Sequence, residues 1–440
     1  MNTNNIAILH NKFYNSQILV LNKVFIAALS IFIVFKSIFT YLNMEIYGYI
    51  ASFLFLFINL LYFTLSFKLP SKSKIIILFF LIGILSLIIS IVNDNILIGV
   101  VGFIGTYFYM TFWLISFSSI NYTERKSFFY YYVNIMVVLA SITAVFAIYQ
   151  YFVDPTLFGV NPSQRYSDIE LLGISITRRA TSFIGSPQNL GIYFGLMIGC
   201  LTLINYKKMV KVILYLLFTV GGILSGSSAF VIFLLLFLFA YNYRRQDIKG
   251  IKGILMVIIP VIILLVVFHL QRIENIENTI WQAFYIFDSR FDEALGSTYS
   301  MNSLLVRDTF QHIFGNGIGL ANRLVEVVTL ENPPANWIGN ESYLFMIFFE
   351  LGLLGGVSFL MLYGVAIFYS YKDKTVYGRT LFAILLGLTS NLAATPSATG
   401  LTMSFIIWPF IIAPFYCLYL NHYRRVSPMK LWASERLETD

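Results

Sequence analysis

The sequence predicts an all-α polytopic membrane protein, a single integral domain over residues 1–440 with about twelve transmembrane helices. Three observations lead there. The chain is 58% hydrophobic and only 11% charged, where a soluble domain carries roughly 25% charged residues. Its apolar runs repeatedly reach the roughly 20 residues that cross a bilayer as helix, with no alternating barrel pattern among them. Its cations fall in short loops, as a topology signal does, and form no basic patch of the kind a nucleic acid requires. Soluble enzymes, disordered tails and disulfide-stapled secreted domains are excluded on the same grounds.

The expected spans lie near 24–43, 46–67, 75–92, 96–117, 131–153, 184–204, 210–225, 227–243, 253–270, 341–370, 379–396 and 400–420. About 23 polar-leaning residues precede the first, without a small-residue cleavage site, so no removable signal peptide is expected. The pair 210–225 and 227–243 reads either as two short spans around Ser225-Gly-Ser-Ser228 or as one broken re-entrant hairpin. Pro260, Pro409 and Pro414 fall inside spans, where neighbouring helices can take up the carbonyls that proline frees. Cys200 and Cys417 lie in apolar runs and read as small core hydrophobes, and the four histidines show no metal-ligand spacing. No metal or cofactor is expected.

Sidedness follows from Lys and Arg. Lys68, Lys72, Lys74, Arg125, Lys126, Lys207, Lys208, Lys211, Arg244, Arg245, Lys249, Lys252, Lys372, Lys374 and Arg379 share one set of loops with both tails, and together hold 21 of the 29 cations. That side is expected to be the cytoplasm. The opposite, outer side has two long segments, 154–183 and the large loop 271–340. Its cations are all arginines: Arg165, Arg178, Arg179, Arg272, Arg290, Arg307 and Arg323. Sidedness would exclude Lys and Arg equally. A site that grips phosphate with a planar fork selects arginine. For Arg165, Arg272 and Arg323 the competing reading is pairing with the surplus acids. Lys36 and Glu350 are the only ionisable groups well inside spans, too few for an ion-coupled pump.

Three stretches carry candidate chemistry. In Arg178-Arg179-Ala-Thr-Ser-Phe-Ile-Gly-Ser-Pro-Gln-Asn189, Ser186 is expected to cap a helix opened by Pro187. That would turn a positive dipole end toward the two arginines and make an anion site at headgroup level. An ordinary capped span with interfacial arginines is the alternative. In 304–314, Val306, Phe310, Ile313 and Phe314 recur at helical spacing as an amphipathic helix with Arg307 and Gln311 on its polar side. The following Gly315-Asn-Gly-Ile-Gly319 has amides that could form an anion nest. Arg290, within Asp288-Ser-Arg-Phe-Asp292, is either a phosphate ligand or salt-bridged. In Trp337-Ile-Gly-Asn340-Glu341-Ser-Tyr343, Asn340 can cap the next span. Glu341 is either a first-turn carboxylate suited to the dipole or a base at the membrane surface. Glu350, about 13 Å deeper on the opposite face, reads as a packing anchor.

Asn340-Glu-Ser-Tyr-Leu-Phe-Met-Ile-Phe-Phe-Glu-Leu-Gly-Leu-Leu-Gly355 resembles the signature of the O-antigen ligase and polymerase superfamily, His-Asn-Ser-Tyr-Leu followed by Glu-x-Gly-x-x-Gly. Three further stretches are similar to that family's pattern, in order over roughly 130–400: Arg179 to Asn189, Leu224-Ser-Gly-Ser-Ser-Ala229, and Arg307 to Gly319. The resemblance implies a GT-C-like membrane fold. It also implies glycosyl transfer at the periplasmic face from undecaprenyl pyrophosphate carriers, without nucleotide sugar or metal. Arg179, Arg290 and Arg307 would hold the pyrophosphate, with Arg178, Asn189, Asn340 and Tyr343 lining the substrate site. The family's His aligns with Asn340, which leaves Glu341 as the nearby proton acceptor. That departure favours a Wzy-type repeat-unit polymerase over a ligase. The stretch Thr181-Ser-Phe183 also lacks a glycine common in the family. Implied partners are a lipid-linked donor and acceptor glycan, membrane lipid and a chain-length regulator, with no nucleic acid. The competing functions are an O-antigen ligase and a lipid-linked oligosaccharide flippase, with a symporter last.

Overall fold

A computed structural model describes residues 3–42, 74–93, 95–154, 170–171, 174–175, 180–245, 309–320, 343–394 and 401–418, with isolated positions 44, 50, 54 and 57. The expected spans 46–67 and 253–270 therefore lie essentially outside the described residues.

The described chain is helical apart from one two-residue hairpin, β1 (Glu170–Leu171) against β2 (Ile174–Ser175), paired antiparallel. The helices are α1 (Thr3–Val34), α2 (Lys36–Tyr41), α3 (Lys74–Val92), α4 (Ile96–Ser119, with a π turn at Ile104–Phe108), α5 (Arg125–Phe152), α6 (Pro187–Cys200), α7 (Lys208–Leu224), α8 (Ser228–Arg245), α9 (Thr309–Phe314), α10 (Tyr343–Lys372), α11 (Val376–Ala394) and α12 (Leu401–Ala413, running into a π turn at Pro414–Leu418). Four of them, α3, α4, α5 and α10, are long and apolar enough to cross a membrane. They have 19, 24, 28 and 30 residues. Shorter apolar stretches occur at Leu19–Val34, Ala229–Arg244 and Thr402–Leu418.

The expected boundaries near 24 and 184 change. Helix α1 starts at Thr3, because residues 3–23 contain no proline or glycine to stop helix growth. It breaks at Phe35, so Lys36 opens α2 at the junction instead of lying mid-span. Helix α6 has only 14 residues, about 21 Å of rise. The stretch Ser182–Ile184 before it is a 3₁₀ turn. The 210–243 region forms two helices, α7 and α8, joined at Ser225–Ser227. They do not lie face to face as a simple hairpin. Instead both pack on α6. Gly191, Gly195 and Gly199, at i, i+4 and i+8 on α6, lie against Ser227, Phe233 and Phe237 of the α8 region, a small-residue stripe that lets helices approach closely.

Helix α3 is apolar on its outward side as well as its inward one. Leu78, Leu81 and Ile88 are about half exposed, while Gly83, Ser86 and Ser90 are buried beside Ile76, Phe79 and Ile82. In water the outward side would be polar. Helix α10 packs against α3, α9 and α11, and α4 packs beside α12. Trp113 and Trp408 are fully buried in the aromatic interior. Both cysteines are buried and free.

Candidate functional site

Of the residues expected to carry chemistry, Arg178, Arg179, Arg290, Arg307, Asn340 and Glu341 lie outside the described residues. Asn189 and Tyr343 lie within them. Asn189 is half-buried in the first turn of α6, and Tyr343 is fully buried in the first turn of α10. Their two helices each pack against α11 and α12.

The segment that follows the arginine pair is pinned by a residue the sequence reading missed. Gln150, 3% exposed near the end of α5, accepts from the Thr181 amide at 3.1 Å and from the Ser182 amide at 2.8 Å. Its own amide donates to Thr181 Oγ1 at 3.2 Å. Ser182 sits at φ +46°, the left-handed region that a glycine adopts freely. Its hydroxyl donates to the Thr143 carbonyl at 3.0 Å. A serine thus occupies left-handed backbone, and these hydrogen bonds offset the strain. Phe183 is held between Phe146 and Phe35, and the Ala180 amide donates to the Leu224 carbonyl at 3.0 Å. The Arg179–Asn189 stretch therefore rests against the Leu224–Ala229 stretch.

Two expectations are corrected here. Ser186 is the N-cap residue of α6, with Pro187 next, but its hydroxyl makes no capping hydrogen bond. The backbone is already set by the Gln150 clamp, so the cap is not needed to start the helix. The 315–319 loop is not an open anion nest, because four of its five amides are already used, that of Gly315 by the Gln311 carbonyl. Asn316 N donates to Phe349 O at 3.1 Å, Gly317 N to Glu350 O at 3.2 Å and Ile318 N to Ser86 O at 3.4 Å.

That loop instead wedges into a break in α10. Gly352 adopts φ +66° inside the helix, which removes the helical partners of the preceding carbonyls. The wedge supplies replacements, joined by Asn316 Nδ2 on Phe349 O at 3.2 Å and Ser86 Oγ on Glu350 O at 2.9 Å. Ser90 Oγ in turn donates to Ile318 O at 2.9 Å. A Cβ on Gly315 would stand 2.1 Å from Glu350 O, so no side chain fits there. The Arg307–Gly319 and Asn340–Gly355 stretches are thereby hydrogen-bonded to each other.

Beside the break lies a buried polar cluster. Glu350 is 1% exposed and lies within electrostatic range of the Tyr107 and Tyr343 hydroxyls. Tyr343 and Glu350 are seven residues apart, two turns on one helix face. Tyr107 comes from the π turn of α4, packs on Phe79, Phe80 and Phe103, and occupies the space left open at Gly83. Both phenol oxygens are buried without a hydrogen-bond partner. π turns recur at functional sites, and the sequence reading did not single out Tyr107.

The opposite end of the bundle collects the cations. Lys126 lies over Tyr130 and Tyr377, Arg379 over Tyr241, Arg244 over Tyr371 and Arg125 over Tyr416. Thr202, in the turn that leads to Lys207 and Lys208, is 2.7 Å from Thr380. Among the described residues, these cations from loops grouped by charge in the sequence are thus grouped in space.

Fold and site together define an all-helical protein of membrane-embedded character, with two pairs of sequence stretches locked together inside the bundle. No protein-family model matches the chain, and no curated protein sequence matches it significantly.

Proposed function

We propose that this protein is a GT-C-like inner-membrane glycosyltransferase that polymerises undecaprenyl-pyrophosphate-linked repeat units at the periplasmic face, both termini being cytoplasmic. The observation that carries the reading is the pairing of the four family-like stretches. Arg179–Asn189 is hydrogen-bonded to Leu224, and Arg307–Gly319 is hydrogen-bonded across the Gly352 break to Asn340–Gly355. Stretches resembling one family in sequence order are expected to meet in pairs if they build one site.

In this reading the growing glycan on its lipid pyrophosphate is the donor, and a hydroxyl of the next lipid-linked unit attacks its anomeric carbon. Arg178, Arg179, Arg290 and Arg307 neutralise charge on the departing pyrophosphate. Glu341 takes the proton of the attacking hydroxyl. Asn189, Asn340 and Tyr343 line the substrate path, and a chain-length regulator is the expected protein partner. The buried Glu350 carboxyl is the observation that favours the second reading, a lipid-linked oligosaccharide flippase, since transport paths place ionisable groups inside the bundle.

Gel analysis of lipopolysaccharide from a deletion strain, complemented with wild type or Arg179→Ala, tests the proposal. Core bearing a single unit, restored to a ladder only by wild type, is the expected result. Bare core with long chains accumulated on the carrier identifies a ligase. Bare core without such chains, and with single units retained on the inner leaflet, identifies a flippase. An unchanged ladder overturns the glycan reading.

A further inference from the structure

At the cation-rich end, three helices meet in a reciprocal arrangement. Arg379 at the start of α11 lies 5.1 Å from the ring centre of Tyr241 on α8. Arg244, one turn beyond Tyr241, lies 4.3 Å from that of Tyr371 near the end of α10. Tyr371 closes the circuit by packing on Phe382 of α11 at 5.4 Å. Each guanidinium is held by a ring of a neighbouring helix, and the Nε of each is shut off from solvent without a partner. Neither guanidinium forms an ion pair or hydrogen bond with another described residue. Among the described residues, the carboxylate belonging to this junction is Asp373, whose Oδ1 accepts from the Thr375 amide at 2.9 Å. Lys372 lies over Phe368, adding a third cation, and exposed Lys374 follows in the same turn. The side chains around the pair are apolar and outward-facing. Phe239 and Tyr243 are 62% and 64% exposed, with Phe368 and Tyr371 nearly half exposed.

We propose that the junction of α8, α10 and α11 binds the phosphate of an anionic glycerophospholipid, with Arg244 and Arg379 as its ligands. Cation–π stacking fixes the two forks while leaving their remaining donors for an oxyanion. Two fixed arginines, neither paired with the Asp373 carboxylate, leave a positive site that a phosphodiester complements. The exposed aromatic and apolar rim fits acyl chains, which a free inorganic phosphate lacks. The site lies at the opposite end from the family-like stretches, so it stands or falls separately from the proposed reaction.

The test uses the full-length protein in phosphatidylcholine nanodiscs with and without phosphatidylglycerol, with native mass spectrometry reading bound lipid and thermal unfolding reading stability. Wild type is expected to retain phosphatidylglycerol and to unfold at a higher temperature in its presence. Arg244→Gln with Arg379→Gln should lower that retention about tenfold or more, while exposed Lys207→Gln with Lys208→Gln leaves it unchanged. Arg379→Lys, which keeps the charge, guards against a folding failure of the double variant and should lose part of the retention with the fork. Equal behaviour of wild type in the two lipid mixtures overturns the proposal. Equal loss in the lysine pair makes the attraction diffuse and overturns it too. Stabilisation by inorganic phosphate to the same extent shows a free-anion site and overturns the assignment to lipid.

Discussion

Trp113 donates its indole N–H to the Phe405 carbonyl at 3.0 Å. That carbonyl is the one Pro409, four residues on, cannot serve. The proline is tolerated because a neighbouring helix supplies the missing donor. Trp113→Phe should therefore cost about 0.5–1.5 kcal/mol, and Pro409→Ala in that background should recover part of it, as unfolding of the four single and double variants would read. Gln150 works in the same way at the site. Gln150→Leu leaves the Thr181 and Ser182 amides unpaired at about 1–3 kcal/mol each. We expect polymer synthesis to fall at least about tenfold, with Gln150→Glu losing less because the carboxylate still accepts both amides. Arg179→Lys should lose most activity although its charge is kept, since the bidentate fork is gone. Normal polymer length in that variant would remove the residue from the site.

Among the elements, the broken helix α10 and its wedge form one unit. Gly352 sits at φ +66°, where an alanine is strained, and a Cβ there would lie 2.5 Å from both Gly315 N and Ile313 O. Gly352→Ala should thus destabilise by about 1–3 kcal/mol, and it should loosen the 315–319 loop together with the kink. Hydrogen exchange over both segments reads this, and loosening of one without the other would show that they are not coupled. The α6 stripe makes a parallel case. A Cβ at Gly195 would stand 2.7 Å from Phe233, so Gly195→Leu should drive α6 and α8 apart and lower the unfolding temperature.

For the molecule as a whole, the segregation of charge predicts its orientation. The cations on α5, α8, α10 and α11 gather at one end of the bundle, and single cysteines introduced at Lys207 and Lys374 should label only from the cytoplasm. Labelling from the periplasm would invert the topology and with it the proposed active face. The proposed transfer should also survive chelation by EDTA, because in that proposal arginine carries the neutralisation that a divalent cation would otherwise supply. Loss of polymer on chelation, restored by a divalent ion, would replace that mechanism with a metal-assisted one.

Composition and run length pointed to the membrane character, and most of the described helices begin and end within a few residues of where the apolar runs placed them, because lipid tolerates little besides an apolar helix. The Lys and Arg pattern likewise grouped Arg125, Lys126, Arg244, Lys372 and Arg379, which the described helices bring to one end. Tertiary structure decided what periodicity cannot encode. The helical start of the chain ran past its polar residues, since no breaker interrupts them. Ser182 took left-handed backbone because Gln150, 32 residues earlier, holds its amide. The Asn316 and Gly317 amides had already been spent on carbonyls that Gly352 frees, so a run that read as an anion nest became a wedge. In the last two cases a buried backbone group needed a partner, and the partner came from a segment remote in sequence.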